Sequence, residues 1–340
     1  MRAMTAGGAA RPLPPRAIPV RGDWRRGTVE LSEVPEAGPA GRVGALWIDT
    51  ARLPPDRWTG PVGALELLVA CERPCLPAGL IFHTGRCGST LLANLLAVHP
   101  GLRVLSEPDV LSQLLVHQAL PDRAGPGRET GLLLSAFSRG TALGAVVKAS
   151  TWHVLAGRHI LSSVPAVPAV FLWRPAAEVV ASCLHQPPPW AGFGELRALL
   201  ARQVPLLERT GDPGLRPAEL YARMWNATVR AGLDLDRSDV LAYDELRADP
   251  AGVASRVAGR FGLPGTDTLA DAMTRAAGRY TKDLSGRTAF EPRGAHARPP
   301  LSPAEHALVA SLTASLEEEI RSRTNRQATG FERPAKPGAG

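Results

Sequence analysis

Residues 80–99 read LIFHTGRCGSTLLANLLAVH. The stretch opens on a short apolar run, 80–84, that reads as a buried strand. It closes on a helical pattern, 89–99, with apolar residues on one face. Between them lies a tight polar turn flanked by Gly85 and Gly88. A turn that leads from a strand into a helix presents unpaired backbone N–H groups and the positive end of the helix dipole. Gly85 and Gly88 let the backbone approach an anion, Arg86 adds a fork of charged donors, and Ser89 and Thr90 add hydroxyls. Cys87 lies inside the turn, where a lowered thiol pKa is expected. The stretch is a P-loop in the physical sense, and phosphate is its expected ligand. A helix cap without a ligand is the alternative.

The turn is not a Walker A motif. No lysine precedes Ser89, and no clear strand ends in an aspartate that would hold magnesium. ATP or GTP hydrolysis loses ground accordingly. A catalytic-thiol phosphatase would need C-x₅-R, and the sixth residue after Cys87 is Ala93.

Outward from the turn, short apolar runs alternate with helical patterns. Further strands are expected at LRVLS, at GAVVKAS (144–150), at PAVFLWR (168–174) and at SDVLAY (238–243). Helical spacing is read at 109–119, 129–140, 153–163 and 176–184, then near 250–262, 266–277 and 303–323. Such alternation predicts an α/β fold of three layers, α/β/α, with a central parallel sheet of the P-loop nucleoside triphosphate hydrolase-like kind. The α/β domain is expected over 79–325. A cap or edge segment is expected at 27–78, and disordered tails at 1–26 and 326–340. Ligands of such sheets collect outside the carboxyl ends of the strands. Arg86 to Thr90, Lys148 with Ser150, and Arg174 all fall there.

The formal charge is +7, but it is concentrated at the ends. Residues 1–26 carry +5 and residues 321–340 carry +4, so the body between is at −2. No basic stripe interleaved with aromatics runs through that body, which argues against a nucleic-acid partner. No run reaches the roughly 18 apolar residues of a membrane span, and the N-terminus lacks the apolar core of a secretory signal; a cytoplasmic protein is expected. Four cysteines in 340 residues do not make a disulfide framework, and Cys71 and Cys75 lack a second ligand pair for zinc. Of 39 basic residues only Lys148, Lys282 and Lys336 are lysines, which singles out a lysine inside the fold.

Residues 86–90, RCGST, resemble the [KR]-S-G-[ST]-[ST] loop of sulfotransferases that use 3′-phosphoadenosine 5′-phosphosulfate, and depart from it at Cys87. FLWRPAAEVVAS is similar to a second element of that family, a strand-end arginine with a serine eight positions on, here Arg174 and Ser182. Glu107 stands 21 residues after Arg86, a spacing that resembles the branches acting on tyrosine and on heparan-type sugars. The small-molecule branch instead carries K-x-H, and here that place reads Lys148-Ala149-Ser150, with His153 displaced by three positions. The resemblance, of bacterial type, covers roughly residues 80–290.

The resemblance implies a transfer of a sulfuryl group from 3′-phosphoadenosine 5′-phosphosulfate to a hydroxyl or amine, with no metal required. It implies that Gly85, Arg86, Cys87, Gly88, Ser89 and Thr90 hold the 5′-phosphosulfate and that Arg174 and Ser182 hold the 3′-phosphate. Arg86 and Lys148 would stabilise the leaving charge, and Glu107, favoured over His153, would act as base. Lys282 and Arg287 in YTKDLSGR are expected in a loop that closes over the donor. The expected acceptor is a small molecule or metabolite. Its pocket is expected within 186–215, where Trp190 and Phe193 either wall it or belong to the core. The alternatives are a P-loop kinase or related phosphoryl transferase and a non-catalytic nucleotide-binding protein.

Overall fold

The computed structural model describes residues 5–6, 9–10, 16–33, 46–47, 57–61, 76–119, 128–188, 190, 216–277 and 300–330. Eleven strands appear among them: β1 (Thr5–Ala6), β2 (Ala9–Ala10), β3 (Ala17–Asp23), β4 (Thr28–Glu33), β5 (Leu46–Trp47), β6 (Arg57–Pro61), β7 (Gly79–His83), β8 (Arg103–Ser106), β9 (Ala145–Lys148), β10 (Ala169–Trp173) and β11 (Ser238–Ala242). Six form a sheet in the order β11-β10-β7-β9-β8-β5. Every pairing in it is parallel.

The helices are α1 (Ser89–Leu96), α2 (Asp109–Gln118), α3 (Arg128–Ala136), α4 (Gly157–Ser163), α5 (Ala176–His185), α6 (Pro217–Leu233), α7 (Tyr243–Ala248), α8 (Pro250–Arg260), α9 (Asp267–Ala277) and α10 (Pro303–Gly330). A 3₁₀ turn, Thr151–Ala156, leads into α4. Side chains alternate across each strand, so successive residues enter opposite cores. Leu80, Phe82, Leu105, Val147, Phe171 and Trp173 pack on one face with residues of α2, α3, α5, α6 and α10. Ile81, Val104, Val146, Val170 and Leu172 pack on the other with α1, α8 and α9. A parallel sheet covered on both faces is the expected three-layer α/β/α fold. β7 lies between β10 and β9, and the chain leaves it for β8 on one side and reaches β10 on the other. This reversal of strand order opens a crevice at the carboxyl ends of β7 and β10.

The long helix α6 was not anticipated from the sequence. Pro217 at its first position and buried Leu220, Tyr221, Met224, Trp225, Thr228 and Val229 give it a start and an apolar stripe.

Two boundary expectations need correction. Residues 1–26 are not wholly a tail: Ala17–Asp23 form β3, with Ala17, Ile18, Val20 and Trp24 buried. β3 joins an antiparallel sheet ordered β2-β1-β6-β4-β3. Pro19 has no N–H to give the ladder, and the pairing register shifts between Pro19 and Arg21, a break that accommodates it. Gly22 N–H donates to Gln113 Oε1 at 2.9 Å, which ties this sheet to α2. At the other end, helix continues to Gly330 rather than stopping before 326. Gln327 Oε1 accepts the Val240 N–H at 2.6 Å and so covers an edge of β11. Residues 331–340 lie outside the described residues. Among those described, no helix is long and apolar enough to cross a membrane.

Candidate active site

The loop after β7 is held from below by a histidine. His83 Nδ1 accepts the Gly85 N–H at 2.9 Å, and its Nε2–H donates to the Ala149 carbonyl at 2.8 Å. Both nitrogens are thereby assigned, and the ring is neutral. Burial, with Lys148 nearby, pushes its pKa down to about 4. Gly85 and Gly88 have φ of 78° and 80°, in the left-handed region. A Cβ on Gly85 would lie 2.9 Å from Thr151 Oγ1, and one on Gly88 would lie 3.1 Å from the Tyr243 ring. The loop is therefore wedged between the 3₁₀ turn and α7. Gly88 caps α1 without a side-chain hydrogen bond. The Ser89 N–H lies on the Cys87 sulfur, and the first-turn N–H groups of Thr90 and Leu91 have no intrahelical acceptor, which suits them to an anion.

Cys87 departs from expectation. Its side chain is fully buried in the α1 core, and its Sγ–H donates to the Leu172 carbonyl at 3.4 Å. Burial pushes the thiol pKa up, not down. The thiol is a small core group at this position.

The two arginines meet at the crevice. Arg174 Nη1 donates to the Arg86 carbonyl at 3.0 Å. Its guanidinium lies 4.4 Å from the centroid of the Tyr243 ring. Its Nε donates to Glu178 Oε2 at 2.8 Å, and Nη2 donates to the same oxygen. Trp225 Nε1–H donates to the Arg174 carbonyl at 2.9 Å and fixes the strand end. Arg86 has φ 53°. Its guanidinium reaches the end of α5, donating to Gln186 Oε1 at 3.1 Å and to the Gln186 carbonyl at 2.6 Å. Ser182 lies on α5 and is buried.

On the other side of β7, Glu107 and Lys148 form a pair. Lys148 is fully buried at the end of β9 and donates to Ser106 Oγ at 3.1 Å and to Glu107 Oε1. Lys148 is therefore no surface cation. Glu107 takes φ 51°, and its N–H donates to the Lys148 carbonyl at 2.7 Å. It does not cap α2: Pro108 occupies that position, with no side-chain cap bond. The Glu107 side chain is 33% exposed. Burial, the largest single influence, pushes the Glu107 carboxyl up, but the Lys148 ammonium with its hydrogen bond and the neighbouring imidazoles together bring it below the ordinary carboxylate range. Alternation along β7, β8 and β9 places His83, Ser106 and Lys148 on the α1 face, under the loop.

His153 is not a competing base. Its Nδ1 accepts the Ser150 N–H at 3.2 Å, and its Nε2–H donates to Ser112 Oγ at 2.9 Å. Burial holds its pKa at about 3. Trp190 packs edge-to-face on Tyr221 with ring centroids 6.0 Å apart and belongs to the core. Lys282, Arg287, Phe193, Cys71 and Cys75 lie outside the described residues.

The structure thus brings the Arg174 guanidinium onto the loop backbone at Arg86, turns the Arg86 guanidinium to Gln186, and pairs Glu107 with Lys148 at the ends of the neighbouring strands. Sequence reasoning missed Ser106, Glu178, Gln186 and Tyr243, and did not place His83 under the loop. His83 sits two residues before Gly85, and Glu178 four after Arg174 in a helix's first turn; spacing alone hinted at the latter.

No family model matches the chain, and no curated protein does. Among solved structures it is similar to a sulfotransferase from Alicyclobacillus acidocaldarius, with 17% identity over 76% of this chain and 99% of that one and a TM-score of 0.43. It is similar to sulfotransferase STF9 from Mycobacterium avium, with 13% identity over 76% of this chain and 82% of that one and a TM-score of 0.44. It is also similar to mouse sulfotransferase SULT7A1 complexed with PAP, with 9% identity over 80% of this chain and 96% of that one and a TM-score of 0.40.

Proposed function

We propose that the protein transfers a sulfuryl group from 3′-phosphoadenosine 5′-phosphosulfate to a hydroxyl or amine of a small-molecule acceptor. One observation carries this reading. Among the described residues, the only two non-glycine positions with positive φ are Arg86 and Glu107. Each costs of order 1–3 kcal/mol and persists only where the surroundings over-determine it. They are the loop arginine and the base that the family spacing assigns, and they flank the end of β7 from opposite sides.

The donor's 5′-phosphosulfate lies on the N–H groups of the loop and of the α1 first turn. Its 3′-phosphate reaches Arg174. The acceptor oxygen or nitrogen attacks sulfur in line as the bond from sulfur to the bridging oxygen breaks. That electron pair stays on the phosphate, leaving adenosine 3′,5′-bisphosphate. The helix N-terminus, Arg86 and Lys148 stabilise the growing charge, a contribution of about 3 kcal/mol for one well-placed group. The acceptor proton passes to Glu107, which Lys148 keeps ionised and ready to receive it.

The test is a thermal shift with adenosine 3′,5′-bisphosphate against ATP plus magnesium, followed by turnover with a sulfate-labelled donor and a panel of acceptors. Stabilisation by the bisphosphate alone, with label transferred, is the expected result. Stabilisation by ATP–magnesium alone would make the protein a phosphoryl transferase instead. Binding of the bisphosphate without turnover on any acceptor would make it a nucleotide-binding protein without catalysis.

A further inference from the structure

Arg174, the residue to which the function proposed above assigns the 3′-phosphate, is already partnered by an anion. Glu178 Oε2 accepts from Nε at 2.8 Å and from Nη2 as well. The side chain of Arg174 is 16% exposed and that of Glu178 is 44% exposed. The arginine is therefore enclosed, whereas the carboxylate has water to turn into. The remaining contacts of the guanidinium are the Arg86 carbonyl, 3.0 Å from Nη1, and the Tyr243 face. Neither bears a negative charge at neutral pH. Glu178 is thus the one carboxylate on this cation among the described residues.

We propose that Glu178 is a resident counter-ion of the donor site, which an incoming 3′-phosphate displaces from Arg174, so that Glu178 sets the affinity for 3′-phosphorylated nucleotides. The inference rests on the function proposed above. The physical basis is the fork of the guanidinium: its side-on pair, Nε–H and Nη2–H, suits a phosphate as well as a carboxylate. A phosphate dianion and the Glu178 carboxylate on one guanidinium repel, so the more mobile of the two groups yields. A nucleotide without a 3′-phosphate leaves the Arg174–Glu178 pair intact. The carboxylate therefore lowers affinity only for nucleotides that carry that group.

The experiment measures binding of adenosine 3′,5′-bisphosphate and of adenosine 5′-monophosphate by calorimetry to the full chain, to Glu178→Gln and to Glu178→Asp. Glu178→Gln is expected to bind the bisphosphate about fivefold more tightly and the monophosphate as before. Glu178→Asp keeps the charge and stays near the unaltered chain. In an Arg174→Ala background the Glu178→Gln gain disappears. A bisphosphate affinity unchanged or weakened by Glu178→Gln, in a protein whose melting temperature without ligand is preserved, overturns the inference alone. An equal gain for both nucleotides also overturns it. Failure of the unaltered chain to bind the bisphosphate overturns the function and the inference together. Should Glu178→Gln not fold, Glu178→Ser replaces it with the same expected outcomes.

Discussion

The two sides of β7 are built differently. Toward β10, Arg86 is bound to neutral Gln186 groups, and the first-turn N–H groups of α1 lack intrahelical acceptors. Toward β9, Lys148, Ser106, Glu107 and His83 form a hydrogen-bonded set, buried except for the partly exposed Glu107, with the ammonium on the carboxylate and both imidazole nitrogens engaged. The first side has positive charge to offer a ligand. The second is neutral within itself and rigid. Binding a polyanion needs the former; holding a base in one ionised state and one orientation needs the latter. The two sides touch through His83, which links the loop at Gly85 to the strand end at Ala149.

The largest expected effect lies on the closed side. Glu107→Gln keeps the shape and removes the proton acceptor, so turnover should fall by about 10²–10⁴ while bisphosphate affinity stays within about twofold. Steady-state rates and calorimetry read the two quantities separately. Because the Glu107 carboxyl lies below its usual range, the acid limb of the unaltered enzyme should appear below the ordinary carboxylate range. A limb near neutrality would assign the proton transfer elsewhere.

Next comes Lys148→Met, which fills the volume without the charge. Turnover should drop by about 10²–10³, and unfolding in urea should show a loss of roughly 3 kcal/mol. A stability loss with undiminished turnover would make the pair purely structural and dissolve the contrast between the two sides.

Acid should act through the buried imidazoles. His83 and His153 take a proton in the fold only near pH 4 and pH 3, against 6.5 for the free side chain. The unfolded chain binds more protons across that window, so stability is full above pH ~6.5 and falls as pH drops, by roughly 3 kcal/mol for His83 alone. Melting temperatures between pH 7 and pH 4 should show it. The slope should flatten in His153→Asn, whose amide oxygen can still accept the Ser150 N–H.

The smallest effect sharpens the comparison most. If both sides store backbone strain, glycine should be favoured over alanine at each. Arg86→Gly should exceed Arg86→Ala in stability, and Glu107→Gly should exceed Glu107→Ala, by about 1 kcal/mol at each position. Denaturant midpoints measure this directly. Equality at either position would remove the strain on which the proposed function rests.

The chain's apolar runs made the parallel sheet legible, because strands buried on both faces must be apolar almost throughout. The five strands from Gly79 onward fall within a residue or two of their expected places. The N-terminal sheet was not legible: its strands carry Pro19 and polar Arg21 and Ser32, and their burial depends on partners far along the chain. The loop, Arg174, Glu107 and Lys148 were legible as residues at strand ends. Cys87 misled, since an anion loop and a core-facing thiol look alike in sequence. A turn's letters do not say which way its side chains point.

Sequence alone determined the α/β class, the position of the anion loop and the residue types near it, because strand-end spacing and glycine placement are local properties. Only tertiary structure decided that Arg174 reaches the Arg86 carbonyl while carrying Glu178, and that Lys148 closes on Glu107. These contacts join residues 41 to 88 positions apart, save for the Glu178 one, and their geometry follows from how neighbouring strands align. The left-handed backbone of Arg86 and Glu107 belongs to the same class of fact. No local propensity favours it, so it exists only because the packed sheet around it leaves the chain no easier course.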